Sequence, residues 1–148
     1  MSILYRRDVI NHEAEWGLIL TALLDYTHDC FRNGVKVYIY SSGSVQAQKL
    51  LFSHSTEGDL TKYLDSHFDI TSSGNKKTAT SYTRIAAALG VDPSEIVFCS
   101  DDEKELKAAK AAGIRHAIMT IRPGNAPLTS DGKKEFPQIF SLLQLCGA

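Results

Sequence analysis

Val35-Lys36-Val37-Tyr38-Ile39-Tyr40-Ser41-Ser42-Gly43-Ser44 is the stretch from which the rest of the chain can be read. It opens with apolar and β-favouring residues, the pattern of a buried strand. It closes with three hydroxyls and a glycine, and a helical run over 45–52 follows at once. A strand that passes into a helix through Ser and Gly gathers hydroxyls and the unpaired N–H groups of the helix's first turn in one small volume. Phosphate or another anion is stabilised there by those donors and by the helix dipole. An ordinary strand–helix turn uses the same residues, with Ser44 as N-cap. On this stretch alone both readings stay open.

Working outward, Ile96-Val97-Phe98-Cys99-Ser100 is a second continuous apolar run, as expected of a strand covered on both faces. Asp101-Asp102-Glu103 then opens a helix with acids where the dipole favours them, and the helix runs through Leu106, Ala109 and Ala112 to Gly113. Residues 116–121 read as a further strand and 68–72 as a short one. Between them, Ser73-Gly74-Asn75-Lys76-Lys77 is a polar loop, and a helix from about residue 80 puts Tyr82, Ile85, Ala86 and Leu89 on one face until Gly90 ends it. A short helix over 59–66 turns Leu60, Tyr63 and Leu64 inward. Beyond the loop at 122–127 and a polar linker to Lys134, a last helix over 138–145 has Ile139, Leu142 and Leu143 as its stripe.

Upstream, Leu20, Leu23, Leu24, Thr27 and Phe31 share a helical stripe that Asn33-Gly34 stops. Residues 1–17 have no clean period, and His12, Glu13 and Glu15 do not have metal-ligand spacing, so they read as a solvated face. The alternation of strands and helices predicts an α/β domain with a mostly parallel sheet. Residues 18–148 form its core and 1–17 stay unassigned.

With 148 residues, 43% of them hydrophobic, the chain can bury one core. A formal net charge of -1 gives no bulk attraction to nucleic acid or an anionic membrane. The apolar runs are too short to span a bilayer, and Arg6-Arg7-Asp8 interrupts the N-terminus too early for a secretory signal. Cys30, Cys99 and Cys146 are odd in number and lack CxxC spacing, so Cys99 reads as a reduced core thiol. The composition therefore predicts a cytoplasmic protein with neither a nucleic-acid nor a membrane partner; a monomer, with the nucleus as a second compartment, is the accompanying expectation.

In a parallel sheet, ligands bind just beyond the carboxyl ends of the strands. Ser41-Ser42-Gly43, Lys76 after Gly74, and Ser100-Asp101-Asp102 all fall at that edge. Hydroxyls and amides would hold phosphate oxygens, the lysine would offset their charge, and a carboxylate would supply hard oxygen to Mg²⁺. Taken singly, each is ordinary: Lys76 or Lys77 as a surface lysine, Asp101 as a helix cap. A dinucleotide site is disfavoured, because the glycine at Gly43 is not part of a GxGxxG pattern.

Ser41-Ser42-Gly43-Ser44, Gly74-x-Lys76 and Ser100-Asp101 resemble the second, third and fourth motifs of the haloacid-dehalogenase-like phosphohydrolases. The runs Tyr38 to Phe52, His54-Ser55-Thr56-Glu57-Gly58-Asp59, Ser81-Tyr82 and Arg122-Pro123-Gly124-Asn125-Ala126 are similar to the enolase-phosphatases (acireductone synthases) of methionine salvage. The likeness covers roughly 18–128. It implies a Rossmann-like core and Mg²⁺-dependent enolisation and dephosphorylation of a 2,3-diketo-5-methylthiopentyl phosphate, a small-molecule phosphate ester. It also implies that Ser41 and Ser42 bind the substrate phosphate, that Lys76 steadies phosphate and nucleophile as a catalytic residue, and that Asp101 is a Mg²⁺ ligand.

One element of the family pattern is missing. Its first motif, Asp-x-Asp or Asp-x-Glu at the end of an N-terminal strand, is not found upstream of Ser41, and most of the cap inserted after that strand is unmatched. Asp8 follows Ile3-Leu4-Tyr5, but no acid stands two residues beyond it; Asp25 and Asp29 fall in the helical stretch. Covalent phosphoryl transfer needs an attacking group. The core is accordingly expected to be incomplete, its first strand absent or replaced by Ile3–Tyr5. A fragment, an alternative gene product and a mispredicted start all stay open. The alternative function is a non-catalytic phosphate-binding module derived from that enzyme.

Overall fold

Val37–Ser41 forms strand β2, and all five of its residues are buried. A continuous apolar run of this kind fits the middle of a parallel sheet, where both faces are covered. The computed structural model of the protein describes residues 2–5, 34–55, 57–122, 124–125 and 127–145. Strand β1 is Ser2–Tyr5, followed by β2, helix α1 (Val45–Ser53), β3 (Ser66–Asp69) and the helical turn α2 (Ile70–Ser73). Then come α3 (Ala79–Leu89), β4 (Val97–Ser100), α4 (Glu103–Ala111), β5 (His116–Thr120), α5 (Ser130–Glu135) and β6 (Gln138–Ile139). The strands form one six-stranded sheet in the order β3-β2-β1-β4-β5-β6, and every neighbouring pair is parallel.

The expectation of an absent or replaced first strand resolves to replacement. Ser2–Tyr5 lies between β2 and β4, with Tyr5 opposite Tyr40 and Leu4 opposite Cys99. Part of the segment left unassigned by sequence thus fills the centre of the sheet, so β2 and β4 have a partner and no internal edge stays unpaired.

Strand alternation divides the apolar side chains between two layers. Tyr38, Tyr40, Phe98, Ala117 and Met119 face α3 and α4, where Tyr82, Ile85, Leu106 and Ala109 meet them. Val37, Ile39 and Cys99 face the other way, against Phe52, Leu60, Leu64, Ile139 and Leu142. Tyr40 meets Tyr82 edge-on at 5.7 Å between ring centroids, and Tyr82 meets Phe98 at 5.0 Å. Edge-on aromatic pairs contribute roughly 0.5–1.5 kcal/mol beyond area burial. Burial pushes the Cys99 thiol up to about 12, so it stays protonated and inert, as a core thiol should.

Helix ends follow the sequence signals. Ser44 caps α1 by accepting from the Ala47 N–H at 3.2 Å, and Asp102 caps α4 by accepting from the Lys104 N–H at 2.8 Å. Gly90, in the left-handed region, ends α3.

Four elements depart from the sequence reading. The helix expected over 59–66 is only a 3-10 turn, Thr61–Tyr63. The strand expected over 68–72 begins earlier and stops at Asp69, whose carboxylate caps α2 through the Ser72 N–H at 2.7 Å. The polar linker contains α5, capped by Thr129. The last helix is replaced by β6 and a 3-10 turn, Leu142–Leu145. Here the open edge of β5 outcompetes helical periodicity: Met119 and Ile121 donate to the carbonyls of Pro137 and Ile139, each at 2.8 Å. The helix expected over 18–33 and the acids Asp8, Asp25 and Asp29 lie outside the described residues, as do His12, Glu13, Glu15, Cys30 and Cys146. Among the described residues, no helix is long and apolar enough to cross a membrane.

Candidate functional site

The carboxyl ends of β2 and β4 flank the end of β1 in the sheet order. Each feeds a turn whose geometry is fixed by side chains. After β2, the Gln48 amide donates to the carbonyls of Gly43 (2.9 Å) and Phe68 (2.8 Å), and the Val45 N–H donates to Asp69 at 3.0 Å. The Ser41–Ser44 turn is thereby tied to β3. Ser41 is buried and its Oγ accepts from the Gly43 N–H at 3.2 Å, while Ser42 is exposed.

After β4, Ser100 is fully buried. Its hydroxyl donates to Glu105 at 2.8 Å and accepts from the Asp102 N–H at 3.0 Å. Within this fixed turn, Asp101 Oδ1 is buried with no hydrogen-bond partner. A buried carboxylate oxygen left in that state is costly and leaves one hard donor available to a cation. Among the described residues no cluster of three or more metal-ligating side chains occurs.

Lys76 contradicts the ordinary reading of a lysine in a polar loop: it is only 6% exposed. Its Nζ lies 2.9 Å from Glu105 Oε1, and Glu105 is itself 2% exposed. Burial pushes the Glu105 carboxyl up to about 7, against the opposing pull of Lys76 and the Ser100 hydroxyl. Burial also lowers the Lys76 ammonium, with Glu105 acting against it. Next to this pair, Lys77 Nζ is 3.3 Å from Asp102, which also caps α4.

A cavity of about 520 Å³ opens over these groups, lined by Ser42, Ile70, Asn75, Lys76, Lys77, Asp102 and Glu105. Of the four residues singled out by sequence, Ser42 and Lys76 share this wall. Ser41 and Asp101 do not line it; they stand at the ends of the two strands on either side of β1. Arg122 is within electrostatic reach of Asp101, and burial lowers its guanidinium against the pull of that carboxylate.

Glu105 was missed by the sequence reading. Its signal is position: on α4 it precedes Leu106 and shares the inward stripe with Ala108 and Ala109, all buried. An acid on a buried stripe requires a cationic or hydroxyl partner.

Gly74 fixes the approach to Lys76. Its backbone, at φ 102 and ψ -168, is one that L side chains avoid, and an added Cβ would lie 2.8 Å from Ser81 Oγ. Gly74→Ala is expected to lower stability by about 1–3 kcal/mol, read by denaturant melts.

A family model described as haloacid dehalogenase-like hydrolase matches residues 12–113. The chain is 52% identical over 115 residues to an enolase-phosphatase E1 of Monosiga brevicollis, a match covering 78% of this chain and 38% of that protein. It is 50% identical over 112 residues to the enolase-phosphatase E1 of Xenopus tropicalis, covering 76% and 42% respectively. The crystal structure of the UTR4 protein of Saccharomyces cerevisiae superposes with a TM-score of 0.71 at 35% identity, covering 83% of this chain and 55% of that one. The chain thus spans less than half the length of these two curated relatives. With the fold, the strand-end turns and these matches in agreement, the chain belongs to the haloacid dehalogenase-like hydrolases.

Proposed function

We propose that this chain carries the phosphate- and cation-binding edge of an enolase-phosphatase of methionine salvage. The reaction is Mg²⁺-dependent enolisation of a 2,3-diketo-5-methylthiopentyl phosphate and hydrolytic removal of its phosphate to give an acireductone. The observation that carries this is the edge itself. Serine hydroxyls close β2, a buried lysine is locked to Glu105, and an unpartnered carboxylate oxygen follows β4. The name enolase-phosphatase E1 borne by relatives about half identical to the chain supports the substrate class.

In this reading Ser41, Ser42 and the amides of their turn bind phosphate oxygens. Lys76 is the catalytic cation, held by Glu105 so that its ammonium keeps one position beside the phosphate and the attacking group. Asp101 fits Mg²⁺, since its buried oxygen is a hard donor without a partner. Bound there, Mg²⁺ would act as a Lewis acid on the phosphate. The residues after Tyr5 are Arg6, Arg7 and Asp8; Asp8 is the first to test as nucleophile. The partner is a small phosphate ester, the chain acts as a cytoplasmic monomer, and residues 18–148 make up the core around β1.

That no Asp-x-Asp or Asp-x-Glu motif stands upstream of Ser41 favours one second reading, a phosphate-binding module without turnover. Phosphate release by the full chain separates the two. Release from the diketo substrate is expected only with Mg²⁺, and Asp101→Asn should slow it on the order of 10²–10³-fold. Binding of phosphate without release would favour the module, and neither would remove both readings.

A further inference from the structure

The loop that carries Lys76 is held from below by hydroxyl groups. Three consecutive carbonyls, those of Gly74, Asn75 and Lys76, each accept from side-chain hydroxyls. Tyr40 Oη donates to the Gly74 carbonyl at 2.7 Å. Ser81 Oγ (2.6 Å) and Thr78 Oγ1 (2.8 Å) donate to the Asn75 carbonyl. Tyr82 Oη donates to the Lys76 carbonyl at 2.6 Å. Tyr40 and Tyr82 are both 0% exposed and pack edge-on. The phenol on β2 and the phenol on α3 thus grip the two ends of one three-residue segment.

A loop without ladder partners must still satisfy the carbonyls it turns toward the core. Here the satisfying groups are rigid. A phenol has few rotatable bonds, and both rings sit in the core, Tyr82 between Tyr40 and Phe98. Packing against immobile aromatics therefore sets the height and direction of the loop. Burial pushes the Tyr40 hydroxyl up to about 12 and the Tyr82 hydroxyl further, so both remain donors at any working pH.

We propose that Tyr40 and Tyr82 are positioning residues for Lys76, their hydroxyls fixing the backbone on either side of it so that its ammonium meets the phosphate in one geometry. This inference rests on the phosphate reading above. It gives a role to Tyr40 and Tyr82, which no direct contact with a phosphate ester explains.

The test is binding of inorganic phosphate, with Mg²⁺ present, to the full chain by calorimetric titration well below the melting temperature. Tyr40→Phe and Tyr82→Phe keep the rings and remove only the hydroxyls. Each is expected to weaken phosphate roughly 10-fold, as the loss of one buried hydrogen bond implies. In a Lys76→Met/Glu105→Gln background, Tyr82→Phe should have no further effect, because no ammonium is left to position. A merely structural role would show the same loss in both backgrounds and would overturn the proposal, as would wild-type affinity in the two phenylalanine variants. If Tyr82→Phe fails to fold, Tyr40→Phe, which removes the hydroxyl on the Gly74 carbonyl, is compared in the same two backgrounds and read the same way. A wild-type chain that binds no phosphate defeats the phosphate reading, and this inference with it.

Discussion

Lys76→Met is expected to lower the stability of the fold by about 3–5 kcal/mol at pH 8, because it strands a buried carboxylate. Glu105 loses the ammonium 2.9 Å away and keeps only the Ser100 hydroxyl among the bonds described above. The loss should shrink on acidification. Burial raises the Glu105 carboxyl from an ordinary 4.5 to about 7. A carboxyl raised by folding contributes stability that is fully present below its ordinary range and is lost as pH rises through the folded value. Removing Lys76 removes the main opposing pull, so the carboxyl rises further and takes up a proton more readily as pH falls. Urea melts at pH 8 and pH 5.5 should therefore show a larger gap between wild type and variant at pH 8. Equal gaps would mean that Glu105 is not the group stranded. Lys76→Met/Glu105→Gln should recover most of the loss at pH 8, since neither partner is then charged.

Asp101→Asn is expected to separate stability from cation binding. In the wild type Asp101 Oδ1 is buried without a hydrogen-bond partner, so a neutral amide relieves the desolvation of that oxygen while giving up the carboxylate's pull on Arg122. Without divalent cation, the variant should melt close to the wild type. With Mg²⁺ at about 100 times its dissociation constant, the wild type should gain about 2.7 kcal/mol, or roughly 5–11 °C for a chain of this length. The variant should stay flat. Thermal melts with and without Mg²⁺, with chelator as control, read both effects. An equal Mg²⁺ shift in the two proteins would place the cation elsewhere.

How much was legible in the sequence depended on whether local chemistry or tertiary competition decided each element. β2 and β4 were readable because a continuous apolar run ending in Ser has few alternatives to a buried parallel strand. The helices α1 and α3 were readable from Ser44 and Gly90, whose caps act within a few residues, and α4 from its opening run of acids, although the cap is Asp102 and not Asp101. Ser2–Tyr5 is four residues long with no flanking signal, so its central place became visible only from its two partners. At 138–145 the Ile139-Leu142-Leu143 spacing suits a helix, but the unpaired edge of β5 takes Gln138–Ile139 as a strand instead. At the site, the order of serines, lysine and aspartate along the chain put them at one edge of the sheet. The burial of Lys76 was not legible, because its cause lies 29 positions away in Glu105 and in the phenols beneath the loop.

The central claim is that the turns after β2 and β4 and the Lys76 loop together bind phosphate with a divalent cation. Residue-resolved amide spectra of the full chain, titrated with inorganic phosphate in the presence of Mg²⁺, test it most directly. The predicted result is saturable shifts grouped at Ser42–Ser44, Lys76–Lys77 and Asp101–Asp102, weakened in Asp101→Asn. The contradicting result is shifts confined to the separate groove between α1 and β3, lined by Lys49, Leu50, Asp65 and His67, or no saturable shift at all.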